Sequence, residues 1–78
     1  MTQSVRNAVR SVLADVLKVD PALIGDDASM KTMEEWDSGN HVSLVLALEE
    51  EFGVSFEVPE IEAMLSFEKV VAAVEQKL

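Results

Sequence analysis

The sequence predicts an all-α fold: a small four-helix bundle with three main helices, a short third helix and a long first loop. Three observations lead there. Residues 4–17 carry apolar side chains at helical spacing, residues 38–52 form a second helical stretch with a cap at each end, and residues after Ser66 form a third. No strands, repeats or low-complexity segments are expected. The 78 residues allow one domain, spanning 1–78.

The first helix follows from Val5, Ala8, Val9, Val12, Leu13, Val16 and Leu17, which recur at i, i+3, i+4 and i+7. Ser4 or Thr2 can cap it. Asp20 precedes Pro21 and is pushed away from helical geometry, so the helix ends by about residue 18. Residues 19–36 read as a loop, broken by Pro21 and the run Gly25, Asp26, Asp27, Ala28, Ser29. Such a loop must pack or function. Leu23, Ile24, Met30, Met33 and Trp36 are its expected anchors, with Trp36 a lid on the core.

The second helix spans 38–52, with Asp37 or Ser38 as N-cap and Gly53 where a terminal glycine belongs. Residues 54–58 read as irregular. Pro59, Glu60 and Glu62 suit the first turn of the short helix. Ser66 caps the last helix, whose apolar side is Phe67, Val70, Val71, Val74 and Leu78.

Helix 38–52 has two apolar stripes. Leu44, Leu48, Phe52 and Val45 fall within about 100° of one another on a helical wheel and form the core stripe. Val42 and Leu46 lie about 160° and 200° from Leu44. Either they pack under the long loop, or they stand exposed as a docking patch. Glu49, Glu50 and Glu51 sit unfavourably near the negative end of the helix dipole, a local cost that points to a use beyond helix stability. Ser38 falls beside the second stripe, in the first turn, where its hydroxyl is expected to be exposed. Free N–H groups and the positive dipole end make that a favourable place for a covalently held phosphate. Asp37 could orient the hydroxyl or a metal, although the pair taken alone reads as an ordinary cap.

Composition narrows the function. The chain is 49% hydrophobic and 27% charged, with 15 acidic and 6 basic residues and a net charge of −9. Residues 21–62 alone hold eleven acidic groups and one basic, Lys31. Nucleic acid and anionic membranes are excluded as partners, because both need clustered Lys and Arg. No stretch approaches a membrane span and no targeting segment is visible, so the expected location is the cytoplasm. There is no Cys and one His, which leaves little for a metal site. Asp26, Asp27, Glu34 and Glu35 lack the spacing of a calcium loop and read as a solvated acidic loop. His41 lies near the core stripe and reads as a partly buried residue at the mouth of the interior. A hydrolase using Ser38 and His41 is poorly supported, since no orienting group accompanies them.

The stretch WDSGNHVSLVLALEEEFGV resembles the acyl carrier protein family, which places Asp-Ser-Leu at the start of its second helix and Leu-Glu-Glu-Glu-Phe at its end. Asp37-Ser38 aligns without gaps with Leu44, Ala47, Leu48, Glu49, Glu50, Glu51 and Phe52, and chain length, acidity and helix order match as well. The resemblance implies a non-enzymatic carrier. Ser38, beside Asp37, would bear 4′-phosphopantetheine donated by coenzyme A through a phosphopantetheinyl transferase. The arm's thiol explains how a chain without Cys could hold acyl groups as thioesters.

The resemblance also places Gly39, Val42, Leu46, Glu49 and Glu50 on docking positions for acyl-loading and acyl-transfer enzymes with basic surfaces. The carrier is expected to be a monomer. Trp36 before the Asp-Ser pair resembles carriers of dedicated lipid, polyketide or related pathways. One departure stands out: the family usually has Leu or Met after the modified Ser, and here it is Gly39. That departure sustains an alternative, an unmodified carrier-like module that binds or regulates a basic enzyme through its acidic second helix.

Overall fold

The computed structural model describes residues 2–78 and, within them, the side chains of residues 4–78. The chain runs α1 (Thr2–Leu17), a 3₁₀ turn (Pro21–Leu23), α2 (Ser38–Phe52), α3 (Val58–Ala63) and α4 (Phe67–Lys77). The described residues contain no strand, only an isolated antiparallel bridge between Ser29 and Ser66. The expected all-α bundle with a short third helix is the observed fold.

Ser4 lies inside the first turn of α1 and is not its cap, while the alternative cap at Thr2 rests on a side chain outside the described residues. At the other end Lys18 turns left-handed with φ 59°, and the Val19 N–H returns to the Ala14 carbonyl at 3.1 Å. This closes the helix in the Schellman manner. Helix α2 ends the same way. Gly53 has φ 64° and the Val54 N–H reaches the Glu49 carbonyl at 3.2 Å, so glycine is favoured there for its left-handed backbone, which Lys18 adopts at a steric cost. Helix α3 starts one residue earlier than Pro59 suggests. Glu57 caps it reciprocally with Glu60, and Pro59 falls in its first turn. Ser66 caps α4 by accepting from the Lys69 N–H, as expected.

Helix α1 packs against α2 and α4. Between them lie Val9, Leu13, Leu17, Leu44, Leu48, Phe67, Val70 and Val74, all buried. The long loop crosses this core through Ile24, Ala28 and Trp36, with Met30 and Met33 half-buried. Leu23 is exposed and anchors nothing, and Leu78 is exposed beyond the apolar side of α4. Leu78 sits just past the last residue of α4, where helical spacing no longer fixes its direction, and Leu23 ends the 3₁₀ turn with its side chain in solvent.

Two arginines of α1 tie the helix to the loop and to α4. Arg10 donates to the Ile24 carbonyl and the Asp26 carboxylate, while Arg6 forks onto Glu68 at 2.7 and 2.8 Å. Both guanidiniums lie over the Phe67 ring, 5.5 and 4.7 Å from its centroid. The loop is further stitched to the α3–α4 connection by the Met30 N–H on the Leu65 carbonyl and the Phe67 N–H on the Ala28 carbonyl. The loop therefore delivers Trp36 and Asp37 to α2 as a packed segment.

Candidate functional site

The start of α2 is built from a short run of local bonds. The Trp36 N–H donates to the Met33 carbonyl at 3.1 Å, closing a turn before the helix. Asp37 is extended, and its carboxylate accepts the Asn40 N–H at 2.9 Å, which is the capping bond of α2. The Asn40 side chain donates to the Glu35 carbonyl at 2.7 Å, tying loop to helix from the other side. Asp37 is thus engaged as a cap, and no group of acidic or His side chains among the described residues could hold a metal.

Ser38 opens the helix on this frame and is exposed. Among the described residues its hydroxyl enters no hydrogen bond, so the oxygen is open to an incoming reagent. The cap consumes the Asn40 N–H, and the positive helix end stands beside the hydroxyl. A phosphodiester on Ser38 would sit at an exposed helix start, where the dipole favours it and the neighbouring Asp37 carboxylate opposes it, with the exposed Gly39 beside it.

His41, one turn further, is buried at 7% exposure. Trp36 Nε1–H donates to its Nδ1 at 3.0 Å, and its Nε2 stands 2.9 Å from the Ile61 carbonyl. Nδ1 must accept, so Nε2 carries the proton and donates. Both ring nitrogens are occupied, and His41 cannot serve as a base for Ser38. The residue expected to be partly buried is therefore buried, with a bonding role that spacing alone did not reveal. The sequence signal was present in part, a Trp and a His five residues apart on the core side.

The second stripe is open. Val42 and Leu46 are each 58% exposed, so they do not pack under the loop. Gly39 and Glu50 are exposed with them on the same helix. Glu49 is half-buried, and its carboxylate accepts the Phe56 N–H at 2.8 Å, holding the chain between α2 and α3. Four of the five expected docking residues thus lie free, and the fifth is also a structural anchor.

A family profile described as "Phosphopantetheine attachment site" matches residues 7–74. The chain is 35% identical over 79 residues to an acyl carrier protein of Thermosynechococcus vestitus, an alignment covering 100% of this chain and 98% of that one. It is 36% identical over 70 residues to an acyl carrier protein of Petrotoga mobilis, covering 90% of this chain and 82% of the relative. The fold is shared with the solution NMR structure of a holo acyl carrier protein from Geobacter metallireducens. The two superpose with a TM-score of 0.82 at 21% identity, over 92% of this chain and 83% of the other.

Proposed function

This chain belongs to the acyl carrier protein family, and we propose that Ser38 is the residue that bears its 4′-phosphopantetheine arm. Members of the family are carriers and not enzymes. The arm supplies a terminal thiol that holds an acyl group as a thioester, which no side chain of this Cys-free sequence could do. Ser38 contributes the acceptor oxygen. In the attachment step that oxygen bonds to the pantetheine-bearing phosphorus of coenzyme A, the anhydride bond breaks, adenosine 3′,5′-bisphosphate departs, and the hydroxyl proton passes to a base of the transferase. Asp37 keeps the first turn of α2 formed, so that the serine is presented at a fixed place. The observation that supports this best is the exposed Ser38 hydroxyl, without a hydrogen-bond partner among the described residues, at the capped end of α2.

Partner enzymes are read as docking on Gly39, Val42, Leu46 and Glu50, with apolar contact from the two aliphatic residues and steering by the surrounding acids. Glu49 adds charge from a position fixed by its bond to Phe56. Such partners present basic surfaces, and a phosphopantetheinyl transferase is one of them. Residues 1–78 act as one monomeric carrier domain in the cytoplasm, serving a dedicated lipid, polyketide or related pathway. No described helix is long and apolar enough to cross a membrane.

Intact mass after incubation with a transferase and coenzyme A tests the assignment. A single phosphopantetheine-sized increase is expected, absent in Ser38→Ala. An increase that persists in Ser38→Ala would move the arm elsewhere. No increase with several transferases would favour an unmodified interaction module, which Gly39 in place of the family's Leu makes the competing reading.

A further inference from the structure

The core-facing side chains nearest to Ser38 in the chain are Trp36 and His41, and both are closed off. Trp36 is 1% exposed and among the largest fully buried side chains. Its indole N–H, the two nitrogens of His41 and the Ile61 carbonyl form one line of hydrogen bonds, at 3.0 and 2.9 Å, from the end of the long loop through α2 to α3. The two rings lie 6.1 Å apart, tilted by 32°. From this we infer that Trp36, His41 and the Ile61 carbonyl form a bar across the α2–α3 gap that keeps the cargo outside the bundle, and that the cargo is a short or polar acyl group. The inference rests on Ser38 as the point of attachment.

The physical argument is one of replacement. Trp36 and His41 flank Ser38 in the chain and fill the interior on its side, so a tail entering between α2 and α3 there would have to pass the two rings. To enter, it must part the Trp36 and His41 bonds and take their place. A hydrocarbon has no donor or acceptor, so the Trp36 indole N–H and the His41 Nε2–H would be left buried without partners, while the Ile61 carbonyl would keep only the Met64 N–H at 3.3 Å. Among the described residues no buried side-chain polar atom lacks a partner now, so entry would create the first such defects. Two surface grooves lie away from these rings. One, of about 320 Å³, is lined by Val12, Asp15, Val16, Ala47, Glu50 and Glu51. Another, of about 240 Å³, lies between α3 and α4 around Met64 and Ala73. Neither is lined by Ser38, Trp36 or His41. A long saturated chain would therefore stay in water on this carrier, whereas a two- or three-carbon or hydroxylated group needs no shelter.

The experiment compares acetyl and octanoyl forms. Each is made with a transferase from acetyl- or octanoyl-coenzyme A, and intact mass against Ser38→Ala verifies the attachment. The same two groups are also placed on pantetheine-length maleimide arms at Ser38→Cys, which creates the only thiol in the chain. Failure of enzymatic loading would count against Ser38 as the natural acceptor, while the maleimide pair still tests the bar. The expected result is equal melting temperatures for the acetyl and octanoyl forms and an unmoved Trp36 indole N–H resonance. In His41→Ala, and in the milder Trp36→Phe, the octanoyl form should melt about 4 °C or more above the acetyl form, the size of shift that a bound ligand gives a domain this small. Octanoyl stabilisation of the unaltered bar, with a shifted indole resonance, would overturn the proposal. So would the absence of any octanoyl gain in both variants, because the bar would then not be what excludes the tail.

Discussion

Gly39 has no backbone reason to be glycine. Its φ is not in the left-handed region, and a Cβ built there meets only the Asp37 carboxylate, at 3.7 Å. A side chain fits, and a glycine in a helix costs up to about 1 kcal/mol relative to Ala. Gly39→Ala should therefore raise unfolding free energy by up to about 1 kcal/mol in urea titration, with the circular dichroism spectrum unchanged. Gly39→Leu should be modified faster than the parent by a broad-range transferase, as read by intact mass over time. Equal rates would show that the missing side chain does not limit recognition. Leu46 and Leu48 are two residues apart and have opposite fates. Leu46 is 58% exposed and Leu48 is fully buried. Leu48→Ala should cost about 2–5 kcal/mol of stability. Leu46→Ala should stay within about 0.5 kcal/mol and weaken transferase binding. Equal melting losses would contradict the two-faced helix.

At the scale of elements, one carboxylate, Glu68, ties α1 to α4 at the rim of their packed apolar side chains. The hydrogen bonds from the Arg6 guanidinium hold Glu68 below the usual carboxylate range, against a smaller opposing effect of desolvation. Glu60 is lowered likewise, first by the Glu57 N–H and then by Lys77. A carboxylate whose folded pKa is depressed adds stability above its ordinary value, and that stability is lost as pH falls through the lowered value. The loss therefore begins near the ordinary 4.5 and deepens below it. Glu68 is exposed and Glu60 half-buried, and solvent screens both pairs, so the effect is modest. Glu68→Gln should melt lower than the parent at pH 6, and its melting temperature should fall less steeply between pH 5 and pH 3. Parallel curves would mean that the fork onto Arg6 contributes nothing to folding.

For the whole molecule, the excess of negative charge acts in a way that no single contact expresses. The net charge is −9, and the ion pairs among the described residues involve only Arg6, Arg10 and Lys77. Repulsion among the remaining acids acts over many pairs and is screened within about 10 Å at 0.1 M salt. Melting temperature should therefore rise between low and moderate sodium chloride at pH 7. A fall would mean that the few attractive pairs outweigh the repulsion. Eleven of the fifteen acids lie in residues 21–62, so the charge that makes the chain repel itself is also the one that would steer a basic partner.

The elements whose ends are set by neighbouring residues were legible in order and type. Asp37 and Gly53 bound α2, Ser66 starts α4, and the helical spacing of Val9, Leu13, Leu44 and Leu48 names the core, because caps and periodicity are local properties of residue type. The exposed serine could be anticipated for the same reason. Tertiary structure alone decided which polar groups are already spoken for. His41 meets the backbone carbonyl of Ile61, twenty residues on, and Glu49 meets the backbone N–H of Phe56. Every residue has a carbonyl and nearly every one an N–H, so a bond to the backbone leaves no mark in residue identity. Only the folded path of the chain brings that atom within reach.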